Sequence, residues 1–202
     1  MLTDDQIMDL SKMMGFSLEG CYFKDQLPKK LKCNTGYIIN MQNSEDEDGE
    51  KNDGTHWTCL QVKQYPNGLT EPIYFDPYGV PPPESVKKFV KNGCGKHLPY
   101  TQKDIQSLMN NACGWYCCAF LHYINVFPKR TKAFYADASD FLELFNDLTK
   151  DTDYKYNEFV LKHFFRSSDP AKRQAIEVID PDRIDGEDEG GVRMGVEVKT
   201  VS

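Results

Sequence analysis

The sequence predicts an α+β fold, and three observations carry that expectation. The chain opens on a capped helical segment, its middle third is β-prone and punctuated by a turn signal, and from Gly114 onward a nearly all-apolar helix-like run is followed by two apolar stripes at helical spacing. In order, Thr3-Asp4-Asp5-Gln6 has the form of a capping box, and Ile7, Leu10 and Met14 follow at helical spacing until Gly15 can end the turn, which predicts a helix over residues 3–14. Tyr37-Ile38-Ile39-Asn40-Met41 reads as a strand. The run His56 to Val62 and the run Pro72 to Asp76 are joined through Pro66-Asn67-Gly68 and read as a hairpin.

Three consecutive prolines, Pro81 to Pro83, break the chain before a Lys-rich amphipathic piece from Glu84 to Lys91. Gly114 to Val126 is apolar on nearly every side, as a helix buried in the middle of a domain would be, and Pro128 stops it. Two peripheral helices are expected, one with the stripe Phe141, Leu144, Phe145 and Leu148, the other with Tyr156, Phe159, Val160, His163 and Phe164 facing inward. No internal repeat is visible.

The 202 residues suit one globular domain, which the composition places over residues 1–166, followed by an acidic tail, 167–202, expected to be disordered. The net charge of −7 is concentrated in two segments: Met41 to Gly54, with six acids and one lysine, and the tail, with nine acids and five bases. The remaining body is mildly basic, with Lys87, Lys88, Lys91 and Lys96 close together. The acidic stretch after the first strand is expected as a solvated surface loop. The opening residues lack a secretory signal and no window approaches a membrane span, so an unexported protein with no membrane partner is expected. Seven cysteines at irregular spacing argue for reduced thiols rather than a disulfide scaffold.

Three of those thiols fall within Cys113-Gly114-Trp115-Tyr116-Cys117-Cys118. Cys113 stands at the mouth of the apolar helix, where a thiolate is favoured, and Gly114 beside it leaves room for a substrate backbone. Cys117 and Cys118 lie a turn inside and read as small core hydrophobes. His56 opens the first hairpin strand and Asp76 closes the second, so antiparallel pairing brings both to one end of the sheet, where a Cys-His-Asp arrangement can assemble. Gln106, seven residues before Cys113, is a candidate amide donor to an oxyanion. The competing reading is metal, since Cys113 with Cys117 and Cys118 with His122 are both i, i+4 pairs. These pairs point to different faces, though, whereas structural zinc needs four convergent ligands. His97 and His163 read as surface residues.

Taken together and in this order, Gly-Thr-His56-Trp57, Tyr-Phe-Asp76-Pro-Tyr-Gly and Gln106 with Cys113-Gly-Trp-Tyr-Cys-Cys-Ala-Phe-Leu-His resemble the adenovirus maturation protease (adenain) family, over roughly residues 1–165. Its acidic loop and tail resemble those of virophage-type members. The resemblance implies the adenain and ubiquitin-like-protein-protease fold, a central mixed sheet packed against a buried helix that carries the nucleophile at its N-terminus. It implies Cys113 as nucleophile, His56 as base and then acid, Asp76 as its orienter, Gln106 as oxyanion donor and Trp57 beside the base shaping the substrate groove. The implied activity is a monomeric cysteine endopeptidase that cleaves viral capsid precursor polypeptides in the maturing virion or at the assembly site in the host cytoplasm.

Nothing in the sequence requires a cofactor. Adenoviral enzymes are stimulated by DNA and by a viral peptide disulfide-linked to a cysteine. Cys94, twelve residues before Gln106, falls near that position and is the candidate for an activating-peptide link, whereas the overall acidity argues against nucleic acid. The alternative enzyme is a ubiquitin-like-protein protease, either a deubiquitinase or a deSUMOylase-like enzyme. That group keeps the His-Asp-Gln-Cys order but commonly spaces Gln and Cys one residue closer and lacks the Cys-Cys pair. Ile184-Asp185-Gly186-Glu187 resembles the family's cleavage pattern and suggests trimming of the tail near Glu187.

Overall fold

The computed structural model of the chain describes residues 1–126, 133–149, 153–167 and 169–179. Within the compact unit Met1–Phe164 the elements run α1 (Asp4–Met14), β1 (Leu18–Phe23), β2 (Thr35–Asn40), β3 (Trp57–Gln64), β4 (Thr70–Phe75), α2 (Glu84–Cys94), α3 (Cys113–Val126), α4 (Phe134–Glu143) and α5 (Asp153–Phe164). The class is α+β, with a four-stranded mixed sheet in the order β1-β2-β3-β4. β1 is parallel to β2 and the other pairs are antiparallel. No helix among the described residues is long and apolar enough to cross a membrane.

Helix α1 forms where its caps dictate. Thr3 Oγ1 accepts from Gln6 N, Gln6 Oε1 accepts from Thr3 N, and Gly15 closes the helix in the left-handed region. In the sheet, strand alternation separates two layers. Ile38, Cys59, Gln61 and Phe75 face α3: the Phe75 and Phe120 rings stack at 4.4 Å, and Asn125 on α3 donates to Gln61 Oε1 at 3.0 Å. Tyr37, Ile39, Leu60, Val62 and Tyr74 face the other way and form one core cluster with Val86 and Val90 of α2. The nearly all-apolar α3 therefore lies against the sheet with ten of its residues buried, and tertiary packing makes an amphipathic stripe unnecessary there.

Several expectations are corrected. Strand β1 carries a glycine and a register shift between Leu18 and Gly20, and all six of its residues are half-buried, so it offers no alternating pattern to read. Helix α4 ends at Glu143 rather than running on to Leu148. Its buried stripe is Phe134, Ala138 and Phe141, and Phe145 packs into the core from the turn beyond it. On α5 the buried face holds Asn157 and Leu161, while Tyr156 and Phe159 are exposed, because Asn157 makes three hydrogen bonds that no apolar residue could replace.

The acidic loop is tied by its own bonds. Asp46 Oδ1 accepts from Asp48 N and Glu50 N, Gln42 pairs with Asn52, and buried Asn40 holds both ends through Gln42 N and Thr55 N. Gly54, with φ +86°, passes so close to the Asn40 amide that a Cβ there would collide with it.

In the segment expected to be disordered, a helix α6 spans Pro170–Ile179. Asp169 Oδ1 accepts from Ala171 N at 2.9 Å and Pro170 occupies the first turn, a local start signal followed by good helix formers. The Ile184–Glu187 motif lies outside the described residues.

Candidate active site

The hairpin places the first two groups. The β3–β4 ladder pairs Cys59 with Phe75, and His56 and Asp76 flank its open end. His56 Nε2 donates to Asp76 Oδ1 at 2.9 Å, and the same oxygen accepts the Tyr78 backbone N–H at 2.8 Å. Asp76 is 1% exposed, so these donors rather than water satisfy the bonded oxygen. It opens a tight turn in which Gly79 N–H donates to Asp76 O at 2.8 Å. Gly79, at φ +69°, lies against the Gln102 carbonyl, where any side chain would clash.

Cys113 is the first residue of α3. Its sulfur accepts the Trp57 backbone N–H at 3.4 Å, and the thiol contributes to raising the His56 imidazole. With Nε2 committed to Asp76, the nitrogen left for the thiol is Nδ1, so the tautomer that serves both partners carries its proton on Nε2. Burial pulls the imidazole down, but the bonds to Asp76 and Cys113 outweigh it and raise His56 from 6.5 to about 9. A thiol at a helix N-terminus, with an N–H aimed at its sulfur and an imidazole alongside that keeps its proton past neutrality, has the surroundings that nucleophilic cysteine chemistry uses. Cys117 donates to Trp57 O at 3.4 Å, and burial pushes both Cys117 and Cys118 well up, as inert core thiols require.

Gln106 is fully buried beside this group. Its loop is strapped to the Asp76 turn by Ile105 N and Gln106 N, both donating to Pro77 O. Its Nε2 donates to Asn110 O at 3.1 Å and to Tyr78 Oη at 3.3 Å, while Oε1 is buried with no hydrogen-bond partner among the described residues. The structure thus bonds His56 to Asp76, sets Cys113 against the Trp57 backbone next to His56, and joins Gln106 to the group through Tyr78.

Other candidates sit differently from their expected roles. Cys113 is 2% exposed, not partly open. Trp57 is buried, with its indole N–H donating to Leu2 O at 2.9 Å, and a Cβ on Gly114 would meet Leu2 and Trp57. The missing side chain therefore makes room for the N-terminal segment and the tryptophan. Cys94 ends α2, on the opposite face of the sheet from Cys113, with its thiol on Val90 O at 3.3 Å. Nearby Cys33 is pushed up by burial and then by Cys94. His122 bonds Met14 O at 2.8 Å, and among the described residues no three His, Cys, Asp or Glu side chains converge as metal ligands.

Three residues were given no role of their own in the sequence. Tyr78 stacks on His56 with ring centroids 4.5 Å apart, Asn110 Oδ1 accepts from Ala112 N just ahead of α3, and Asn157 donates to Ile105 O. Only the position of Tyr78, in a turn next to the acid, offered a signal. No family model matches the chain, and no curated protein matches it either.

Proposed function

We propose that this protein is a cysteine endopeptidase of the adenain type, acting on viral capsid precursor polypeptides during particle maturation. The observation that carries the chemistry is the Asp76–His56 bond set beside the Cys113 sulfur, which stands at the start of α3 under the backbone N–H of Trp57, the residue next to His56. The substrate class rests on the resemblance of the His-Trp, Asp-Pro-Tyr-Gly and Gln…Cys-Gly segments to that family.

In the proposed reaction the Cys113 thiolate adds to the scissile carbonyl carbon, forming a C–S bond and an oxyanion at the mouth of α3. There the positive helix end and nearby donors stabilise it. The His56 imidazolium gives its Nδ1 proton to the leaving amine as the C–N bond breaks, leaving a thioester and a neutral ring. Water then adds to the thioester as His56 takes its proton, and the intermediate collapses with cleavage of the C–S bond, releasing the acid product and restoring the Cys113 thiolate and His56 imidazolium. Asp76 holds Nε2 throughout. Because Cys113 is almost fully covered, a substrate has to displace part of its cover before attack.

The test is incubation of the wild-type protein and Cys113→Ala with capsid precursors of the cognate virus, with sequencing of the new termini. New termini made only by the wild type support the proposal. Intact precursors in both, with a ubiquitin-like fusion cleaved instead, would move the assignment to the ubiquitin-like-protein proteases.

A further inference from the structure

The loop that leads into α3 shows two large apolar side chains to solvent. Leu108 is 80% exposed and Met109 94%, and in the unit Met1–Phe164 no other large apolar residue among the described ones is more than half exposed. Single apolar residues scattered over a surface need no explanation, but two adjacent ones held almost wholly in water mark a place where a partner gains by covering them. From Gln106 to Cys113 the chain carries no charged residue, so the contact this loop offers is apolar rather than ionic.

The turn that carries the pair is tied at both ends. Asn110 N donates to Ser107 O at 3.2 Å and Met109 N to Ser107 Oγ at 3.2 Å. Asn110 Oδ1 accepts from Ala112 N at 3.2 Å, and the Asn110 amide reaches across to Glu158 Oε1 on α5 at 2.8 Å. The exposure therefore belongs to a braced turn. Its place decides the occupant. Met109 stands four residues before Cys113, and an extended chain advances at most about 3.6 Å per residue, so the two Cα atoms lie within about 14 Å of each other. An extended polypeptide bound over Cys113 covers that distance in about four residues. In the proposed reaction the chain being cleaved lies there.

We infer that Leu108 and Met109 form an apolar lip that takes one large apolar side chain of the substrate, within about four residues of the cleaved bond, and so set substrate preference without touching the reacting atoms. This deepens the reading of the chain as a cysteine endopeptidase and rests on it. Methionine suits the role, because its unbranched, polarizable thioether adapts to apolar partners of different shape.

The experiment uses the full chain and a peptide that spans a junction mapped with the wild-type protein, together with peptides in which each large apolar residue of that junction is replaced in turn by Ala. A double variant, Leu108→Ser with Met109→Ser, should fold as the wild type does, since both side chains stand in solvent. Its KM for the parent peptide should rise about tenfold with kcat kept, while iodoacetamide alkylation of Cys113 keeps the wild-type rate. One Ala-substituted peptide should cost the wild type a similar factor and cost the double variant almost nothing, because both changes remove the same contact. Leu69→Ser, in the turn at the other end of the hairpin, should move none of these values. A double variant with the wild-type KM overturns the inference, as do Ala effects that multiply with those of the variant in every peptide. A mapped junction with no large apolar residue within that reach overturns it as well. Slower alkylation together with a lower kcat does so too, by showing that the turn shapes the nucleophile rather than holds substrate. A wild-type chain that cleaves nothing, or cleavage that persists in Cys113→Ala, overturns instead the protease reading on which the inference rests.

Discussion

His56 Nε2 and Asp76 Oδ1 lie 2.9 Å apart at the open end of the hairpin, the carboxylate buried and the imidazole largely so. This bond fixes which ring nitrogen faces Cys113 and holds a proton on the ring well above its ordinary range.

That proton sets the pH behaviour. In the proposed reaction the leaving amine takes it, so cleavage should fall as pH rises through about 9. Asp76→Asn should move that descending limb down toward 6.5 and lower kcat at neutral pH by about 100-fold or more, measured as a pH–rate profile of peptide cleavage.

Stability follows the same linkage. A group whose folded pKa is raised stabilises the fold fully below its unfolded value and loses that contribution as pH rises through the folded one. For His56 the window runs from 6.5 to about 9. The wild-type Tm should therefore drop across that window, and the His56-dependent part of the drop should be absent in His56→Gln, measured by thermal unfolding at a series of pH values.

The buried thiols are separable by role. Cys113→Ala should abolish cleavage with the fold kept, whereas Cys117→Ala should keep cleavage and cost ~1–2 kcal/mol of stability for the cavity and the lost bond to Trp57 O. Denaturant unfolding alongside a cleavage assay reads both, and equal loss of activity in two folded variants would contradict the choice of nucleophile.

Asn157 supports the site from α5 by donating to Ile105 O at 3.0 Å and Asn146 O at 2.8 Å and accepting from Asn146 N at 2.7 Å. Asn157→Leu leaves those backbone groups buried and unpaired, so it should cost about 2–4 kcal/mol in denaturant unfolding. It should also lower kcat where the fold persists, because the loop bearing Gln106 loses its anchor.

What the sequence made legible was local. The Thr3–Gln6 caps, the Pro66–Gly68 turn and the apolar run of α3 each announce themselves within a few residues, and hairpin logic then brings His56 and Asp76 to one end. The illegible parts depend on distant partners. Buried Asn157 reverses the apparent face of α5, because a satisfied amide looks polar in sequence and behaves as core in the fold. Strand β1 exists because β2 offers it a parallel edge, and Gly114 is explained by Leu2, more than a hundred residues away in sequence. Tyr78 becomes informative only once the register sets it on His56.

The central claim is that Cys113, His56 and Asp76 work as one nucleophilic unit, and the rank order of cysteine alkylation tests it most directly. Exposure alone favours half-buried Cys21, Cys33 and Cys94 over Cys113 at 2%. Time-resolved iodoacetamide labelling at neutral pH, read by peptide mass spectrometry, should show Cys113 modified first and should lose that priority in His56→Ala. Labelling that follows exposure in the wild type, with Cys113 among the last to react, would contradict the account.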